Sequence, residues 1–104
     1  MPPETVTLMV PSSTPEHVAF VLFCEVIEHL VSNPLHTLEN IHRILKNDGI
    51  LILSTPNVAR YQNILRLLSG YNIYDPYSGY GIYGRHNREY TSDEIHMLLD
   101  QMGF

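Results

Sequence analysis

Residues 20–57 decide the fold; they read FVLFCEVIEHLVSNPLHTLENIHRILKNDGILILSTPN. One apolar run covers residues 18–23, a second covers residues 49–53, and a segment of helical periodicity lies between them. Apolar runs without alternation are typical of strands that are covered on both faces, and two such strands joined by a helix form a parallel unit. Ligands of open α/β sheets bind at the carboxyl ends of the strands. We therefore expect residues 25–29 and 54–57 to be neighbours at one edge of a cleft.

Three helices are predicted from capping and stop signals. Asn33 is a suitable cap and Pro34 suits the first helical position, while Asp48-Gly49 closes this segment. Thr91 to Glu94 form a capping box that starts the last helix. Asn57 is predicted to cap the helix between them, unless its side chain binds substrate instead. The apolar faces predicted to be buried are Leu35, Leu38, Ile41 and Leu45, then Tyr61, Ile64, Leu65 and Leu68, then Ile95, Leu98, Leu99 and Met102.

Two other segments are predicted to be irregular. Residues 1–17 form an extended, proline-punctuated lead-in, where Val6, Leu8 and Val10 alternate as a short strand that Pro11 breaks. Residues 71–84 are rich in glycine and tyrosine, so they are predicted to be an ordered loop or lid and not a disordered linker. The predicted organisation is a lead-in over residues 1–17 and one domain over residues 18–104.

Composition excludes several classes of protein. The chain has 104 residues, a formal net charge of −5 and a single cysteine, Cys24. An internal disulfide is therefore impossible, and a reducing, cytoplasmic location is expected. The negative charge without a basic cluster argues against binding of duplex nucleic acid. No apolar run reaches the roughly 20 residues that a membrane span needs.

The order of these motifs resembles the C-terminal half of a class I S-adenosylmethionine-dependent methyltransferase. The matching stretches are VLFCEVIEHL at 21–30, RILKNDG at 43–49, ILILSTPN at 50–57 and RHNREYT at 85–91. The resemblance covers residues 18–104. It implies an α/β protein with a partial Rossmann-like methyltransferase fold: three αβα layers around a mostly parallel, incomplete sheet. It also implies S-adenosylmethionine as the cofactor.

The glycine-rich cofactor loop of that family has no counterpart here, because no glycine precedes Gly49. The acidic residue that ends the family's second strand is also missing. We therefore expect a methyltransferase fragment that is inactive as an isolated chain. An alternative of another class is a non-catalytic truncated remnant that acts as an oligomerising module, because unpaired sheet edges favour homo-oligomers.

The resemblance implies roles for particular side chains. Cys24, Glu25 and Val26 would contact the methionine end of the cofactor; an ordinary strand exit is the structural alternative. His29 is the predicted general base, which accepts the proton of a substrate hydroxyl. A histidine hydrogen-bonded to the backbone is the alternative for that position. The predicted substrate-binding residues are Asn57, Tyr80, Arg85 and His86.

The predicted acceptor is a hydroxyl group of a small molecule, a sugar or a lipid-linked glycan. Tyrosines offer flat stacking faces and hydroxyl donors, which suit such acceptors. Methyltransferases of glycan biosynthesis carry segments similar to DPYSGYG at 75–81. A tyrosine-rich loop that only covers the core is the structural alternative.

A metal-dependent alternative arises from Glu25, Glu28 and His29, because spacings of three and four residues place side chains together on a helical turn. With His86 they would form a carboxylate–imidazole site for a divalent metal. This arrangement resembles small-RNA 2′-O-methyltransferases and implies a metal-dependent RNA 3′-end 2′-O-methyltransferase fragment. We expect no metal, because Glu-His after this strand is common in methyltransferases without one and because the chain lacks a basic patch for RNA.

Overall fold

The computed structural model describes residues 4–11 and 18–104, and every structural statement below concerns these residues. No helix among them is both long enough and apolar enough to cross a membrane. Two short 3-10 turns, Ile27–His29 and Gly81–Gly84, lie in the connections. The strands and helices in chain order are β1 Thr5–Pro11, β2 Val18–Cys24, α1 Pro34–Ile44, β3 Leu45–Pro56, α2 Tyr61–Leu68 and α3 Ser92–Gln101.

The three strands form one sheet in the order β1-β3-β2. β2 and β3 are parallel, with Cys24 opposite Ser54, and α1 connects them. This pair confirms the predicted parallel unit and the α/β, partial Rossmann-like fold. β1 pairs antiparallel with β3, with Thr5 opposite Pro56, so a strand from the segment assigned to the lead-in belongs to the sheet.

The hydrophobic core lies on one face of the sheet, where α1 and α3 pack. Leu51 and Leu53 of β3 are fully buried there, because alternate residues of a strand point to the same face. Leu38 of α1 and Ile95 of α3 are also fully buried and join them. The buried apolar residues of this cluster are Val6, Phe23, Ile27, Leu38, Ile41, Leu45, Leu51, Leu53, Tyr90, Ile95 and Leu99.

The opposite face of the sheet is open. Phe20 and Leu22 of β2 point to it and are 59% and 70% exposed. The prediction that this strand is covered on both faces is therefore wrong for the described residues. The apolar run predicted a strand correctly, but its composition did not reveal how many helices would pack on it.

Two of the predicted helix starts are confirmed. The Asn33 side chain accepts a hydrogen bond of 3.0 Å from the backbone N–H of Leu35, and Pro34 is the first residue of α1. Thr91 and Glu94 form the predicted capping box, since each side chain accepts from the backbone N–H of the other residue. These starts were predictable because a cap involves neighbours in sequence.

The prediction for α2 is wrong in two respects. Asn57 does not cap the helix: its Oδ1 accepts from Ala59 N–H at 3.0 Å and closes a turn, and the helix cap is Arg60. The apolar face is also not buried. Leu65 and Leu68 are 44% and 80% exposed, and Asn63 is the buried residue of this helix.

Candidate functional site

The carboxyl ends of β2 and β3 meet, as the sequence predicts. Glu25 follows β2 in a left-handed backbone conformation, with φ of 57°, and its N–H donates to the Ser54 carbonyl at 2.8 Å. The Ser54 hydroxyl donates to Glu25 Oε1 at 3.3 Å. The next residue of β3 is Thr55, and its hydroxyl donates to Glu28 Oε2 at 2.7 Å. Hydroxyl groups of β3 therefore hold both carboxylates that follow β2.

Glu28 is fully buried at this strand end. Its backbone carbonyl accepts from the N–H groups of Asn87 and Arg88, which joins the loop after residue 84 to the site. Its Oε1 has no hydrogen-bond partner among the described residues. A buried carboxylate oxygen without a partner carries a substantial desolvation cost, and such orphaned atoms are rare in proteins. Glu28 therefore has an unused acceptor at the site.

His29 is held by the backbone of the same loop. Its Nδ1 lies 3.0 Å from the Arg85 carbonyl, and Asn87 Nδ2 donates to the His29 carbonyl at 3.0 Å. Because a carbonyl oxygen only accepts, Nδ1 must carry the proton of this bond. In the neutral imidazole Nε2 is then the atom with a lone pair. His29 thus combines a fixed orientation with an available base.

His86 packs edge-to-face on His29, with ring centroids 4.6 Å apart. Its backbone N–H donates to Asp75 Oδ2 at 2.8 Å, and its Nδ1 lies 3.0 Å from Glu89 Oε2. One potential ligand atom each of Glu28, His29 and His86 lie within 4.8 Å of one another. The fold therefore brings together two predicted site histidines and a buried carboxylate, and we call these three residues the carboxylate–histidine cluster.

Two carboxyl groups, those of Glu25 and Glu28, lie close together where β2 ends. Burial and, next, the neighbouring charge of Glu28 raise the pKa of Glu25 above its ordinary value. The hydrogen bond from Ser54 and the proximity of His86 oppose this shift only partly. A cation bound between the two carboxylates would remove their repulsion. The strand end is therefore chemically suited to a positively charged group.

Glu89 contacts the carboxylate–histidine cluster, although no motif in the sequence points to it. Burial alone would raise its pKa, but hydrogen bonds from Arg60 and His86 outweigh burial and hold the pKa below its ordinary value. Arg60 also donates to the Asn57 carbonyl. Glu89 therefore connects the turn after β3 to His86. The only signal in the sequence was its position in the RHNREYT stretch.

Replacing Glu89 with glutamine should destabilise the protein by about 1–2 kcal/mol at neutral pH, because two hydrogen bonds to a charged group are weakened. The folded-state pKa lies below the unfolded one, so this contribution is complete above about pH 4.3 and is lost as the pH falls through the folded pKa. Thermal unfolding across a pH series measures it. The matched control is E39Q, because Glu39 is exposed on the surface of α1. A deficit of E89Q that persists unchanged into acid would contradict the assignment.

The other predicted site residues differ in their exposure and in whether they contact the cluster. Cys24 and Val26 are exposed at the end of β2. The Arg85 backbone contacts His29 directly. Asn57 is 3% exposed and its side chain is used in a turn, whereas Tyr80 is 84% exposed. The substrate roles of Asn57 and Tyr80 stay predictions.

A cleft of about 970 Å³ lies beside the cluster, between the tyrosine-rich loop and the stretch that carries His86. Its volume is that of a pocket for a small organic molecule. In this region the Arg85 guanidinium carbon lies over the Tyr77 ring, 5.0 Å from the ring centroid. The lining residues are Val58, Asn72 to Tyr77 and Arg85 to Glu89.

Comparison with known proteins identifies the family. A family model described as "Methyltransferase domain" matches residues 3–104, which is nearly the whole chain. No curated protein and no solved structure matches significantly.

Proposed function

The chain belongs to the methyltransferase domain family, and from that premise we propose that it takes part in S-adenosylmethionine-dependent O-methylation. The proposed acceptor is a hydroxyl group of a small molecule, a sugar or a lipid-linked glycan. The observation that carries this proposal is the orientation of the His29 ring by its hydrogen bond. Its Nδ1 is bonded to the Arg85 carbonyl, so Nε2 is available as a base at the ends of the strands.

His29 would accept the proton of the acceptor hydroxyl as the oxygen becomes methylated. The hydrogen bond from Nδ1 to the Arg85 carbonyl restrains the ring, and the bond from Asn87 holds the His29 backbone, so little reorganisation is needed when the proton moves. The bound cofactor supplies an electrophilic methyl group. Positioning of the acceptor contributes most to such a reaction, and proton removal typically adds about 10²–10⁴-fold.

Cys24, Glu25 and Val26 are the proposed contacts of the cofactor's methionine end. The fit rests on charge and access. Cys24, the last residue of β2, and Val26 are exposed, and the carboxylates of Glu25 and Glu28 lie close together at this strand end. The methionine end carries an ammonium group, and carboxylates complement an ammonium ion.

The acceptor would occupy the cleft of about 970 Å³ beside the cluster. His86 and Arg85 line this cleft, and Tyr74 and Tyr77 offer ring faces on which a sugar or an aromatic acceptor stacks. Asn57 and Tyr80 do not line it. Their proposed contact with the acceptor rests on the family resemblance alone.

A metal-dependent form of this function is the second candidate, and the orphaned Oε1 of Glu28 favours it. His86, like His29, uses Nδ1 for an acceptor that cannot donate, so Nε2 of each neutral ring is available. Two imidazoles and a carboxylate are a donor set for Zn²⁺, Mn²⁺ or Fe²⁺. With such an ion the site would be suited to paired hydroxyls, including an RNA 3′ end.

One assay tests both candidates: transfer of a labelled methyl group from S-adenosylmethionine by the full natural protein. The acceptors offered are glycans, lipid-linked glycans, small phenols and a short RNA with a free 3′ end. Each reaction is run with EDTA and with added Mn²⁺.

Transfer to a glycan or small-molecule hydroxyl that EDTA does not reduce would support the first candidate. Transfer that EDTA abolishes and Mn²⁺ restores would support the second, and labelling of RNA would identify its acceptor. Absence of transfer to every hydroxyl acceptor under both conditions would contradict the proposed O-methylation.

A further inference from the structure

The buried carboxylate of the carboxylate–histidine cluster has an acceptor to spare. Glu28 is 0% exposed, and the Thr55 hydroxyl donates to its Oε2, but its Oε1 has no partner among the described residues. A buried polar atom without a partner is costly, because it gives up its hydrogen bonds to water and gains none in exchange. Glu28 Oε1 is therefore available to a hydrogen-bond donor on a ligand.

The two imidazoles of the cluster also present acceptors. Nδ1 of His29 donates to the Arg85 carbonyl, and Nδ1 of His86 lies 3.0 Å from Glu89 Oε2. Hydrogen bonds from Arg60 and His86 hold the pKa of Glu89 below its ordinary value, so its carboxylate accepts here. Each neutral ring therefore carries its proton on Nδ1 and a lone pair on Nε2.

The available atoms of the cluster are thus three acceptors: one carboxylate oxygen and two imidazole nitrogens. Glu25 lies next to them, and burial and then the charge of Glu28 raise its pKa. A proton shared by these two carboxyl groups would serve one of the acceptors and would leave both imidazole nitrogens without a donor. A ligand with several donors and a positive charge would serve all three, because hydrogen bonds between charged groups are the strong ones.

The spacing of the cluster distinguishes two kinds of cation. One potential ligand atom each of Glu28, His29 and His86 lie within 4.8 Å of one another. A primary ammonium group donates in tetrahedral directions over about 2.7–2.9 Å, which places its acceptors about 4.4–4.7 Å apart. Ligands of a tetrahedral Zn²⁺ at about 2.0–2.1 Å are only about 3.3–3.4 Å apart. The spread of the cluster is that of acceptors around an ammonium group and is wider than that of ligands around a metal ion.

We propose that the carboxylate–histidine cluster binds a primary ammonium group, which donates to Glu28 Oε1 and to Nε2 of His29 and His86. Two sources of this group fit the site. One is an amine-bearing acceptor in the cleft of about 970 Å³ that His86 lines. The other is the methionine end of the cofactor, whose proposed contacts lie at the same strand end. The proposal goes beyond O-methylation and does not depend on it, because it concerns binding alone.

An amine-bearing acceptor would make N-methylation a further activity of the site. His29 Nε2 takes one proton from the ammonium group, which leaves a neutral amine with an electron pair on nitrogen. Glu28 and His86 hold this nitrogen through its remaining N–H groups. The pair forms the new nitrogen–carbon bond, the methyl–sulfur bond breaks with its electrons on sulfur, and the methylated ammonium product releases a proton to water.

An NMR titration of the chain with isotope-labelled histidines tests the proposal. The probes are two matched pairs: glucosamine and glucose, then methionine and its analogue without the amino group. We expect saturable shifts of the His29 and His86 ring signals with at least one of the two amines. The partner without the amino group should bind about tenfold more weakly or worse, because the charged donors are lost. Shifts with glucosamine assign the site to an acceptor, and shifts with methionine alone assign it to the cofactor.

Variants check that binding depends on the cluster. E28Q should raise the dissociation constant of the bound amine about tenfold or more, because it removes the negative charge that attracts the ammonium group. His86 is half-buried, and H86A is a second variant that should weaken amine binding in the same direction. The matched control is E39Q, because Glu39 is exposed on α1, and it should bind like the wild type. The amide spectrum of each variant confirms that it is folded.

Three results would overturn the proposal. The first is equal affinity for the two members of each pair, which would mean that the amino group is not recognised. The second is absence of ring shifts at millimolar concentrations of both amines. The third is binding of Zn²⁺ or Mn²⁺ at these rings that the amines do not weaken, which would assign the cluster to a metal ion. No methyl transfer is measured, so failure here and failure of the proposed O-methylation are separate results.

Discussion

Replacing His29 with asparagine should lower the rate of methyl transfer by about 10²–10⁴-fold, the usual contribution of a general base. The asparagine amide offers an N–H near the position of Nδ1 and can keep the bond to the Arg85 carbonyl. It cannot accept the hydroxyl proton. The measurement is kcat in the full natural protein with the acceptor that gives the highest wild-type rate, and KM should change little.

The matched control for this variant is H96A. His96 is exposed on α3, and its Nδ1 bonds to the Ser92 carbonyl of its own helix. H96A should therefore turn over at the wild-type rate. If H29N also kept the wild-type rate, with unchanged thermal stability, His29 would be a residue bonded to the backbone and not the base.

Replacing Leu53 with alanine should destabilise the fold by about 2–5 kcal/mol, the range for large-to-small substitutions in a core. Leu53 is fully buried between the sheet and the helices on its covered face. A loss of this size is a large fraction of the total stability of a domain of this length. Denaturant unfolding of the isolated chain measures it. L53M, which conserves volume, should cost less than about 1.5 kcal/mol.

Leu22 offers a control on the other face of the same sheet. It lies in β2 opposite Ile52, and 70% of its side chain is exposed. L22A should change the free energy of unfolding by less than about 0.5 kcal/mol, as is usual for surface positions. A cost for L22A similar to that of L53A would mean that both faces are covered in solution, which would favour the predicted oligomer.

Local signals in the sequence predicted the elements that position the site. The Asn33-Pro34 start and the Thr91 capping box are properties of residues close in sequence, and both are present. The parallel β2–β3 pair was predictable because a segment of helical periodicity joins two apolar runs. The polar residues that follow each run predicted that residues 25–29 and 54–57 are neighbours, and Glu25 contacts Ser54 there.

Features that depend on distant parts of the chain were not predictable. The periodicity of α2 indicates an apolar face but not what covers it, and Leu68 is 80% exposed. β1 joins the sheet through antiparallel pairing with β3, and alternation alone does not specify a partner. For the same reason the sequence did not reveal that only one face of the described sheet is covered. Which elements pack against each other depends on residues that are far apart in the sequence.

The candidate site shows the same division. His29 and His86 were predicted from motifs, and their edge-to-face contact depends on a loop of irregular structure. Thr55, Asn87 and Glu89 were missed, because each acts through a hydrogen bond to a residue far away in sequence or in a loop without periodicity. A residue that holds another side chain of the site has no local signature of its own.

The most direct test of the central claim is an amide NMR titration of the isotope-labelled chain with S-adenosylhomocysteine. This method detects even millimolar affinity, which suits a chain without a glycine-rich turn before Gly49. We predict saturable shifts at Cys24, Glu25 and Val26, reproduced by methionine, with α3 unaffected. Saturable shifts confined to other elements, or none at millimolar ligand, would contradict a cofactor site at the end of β2.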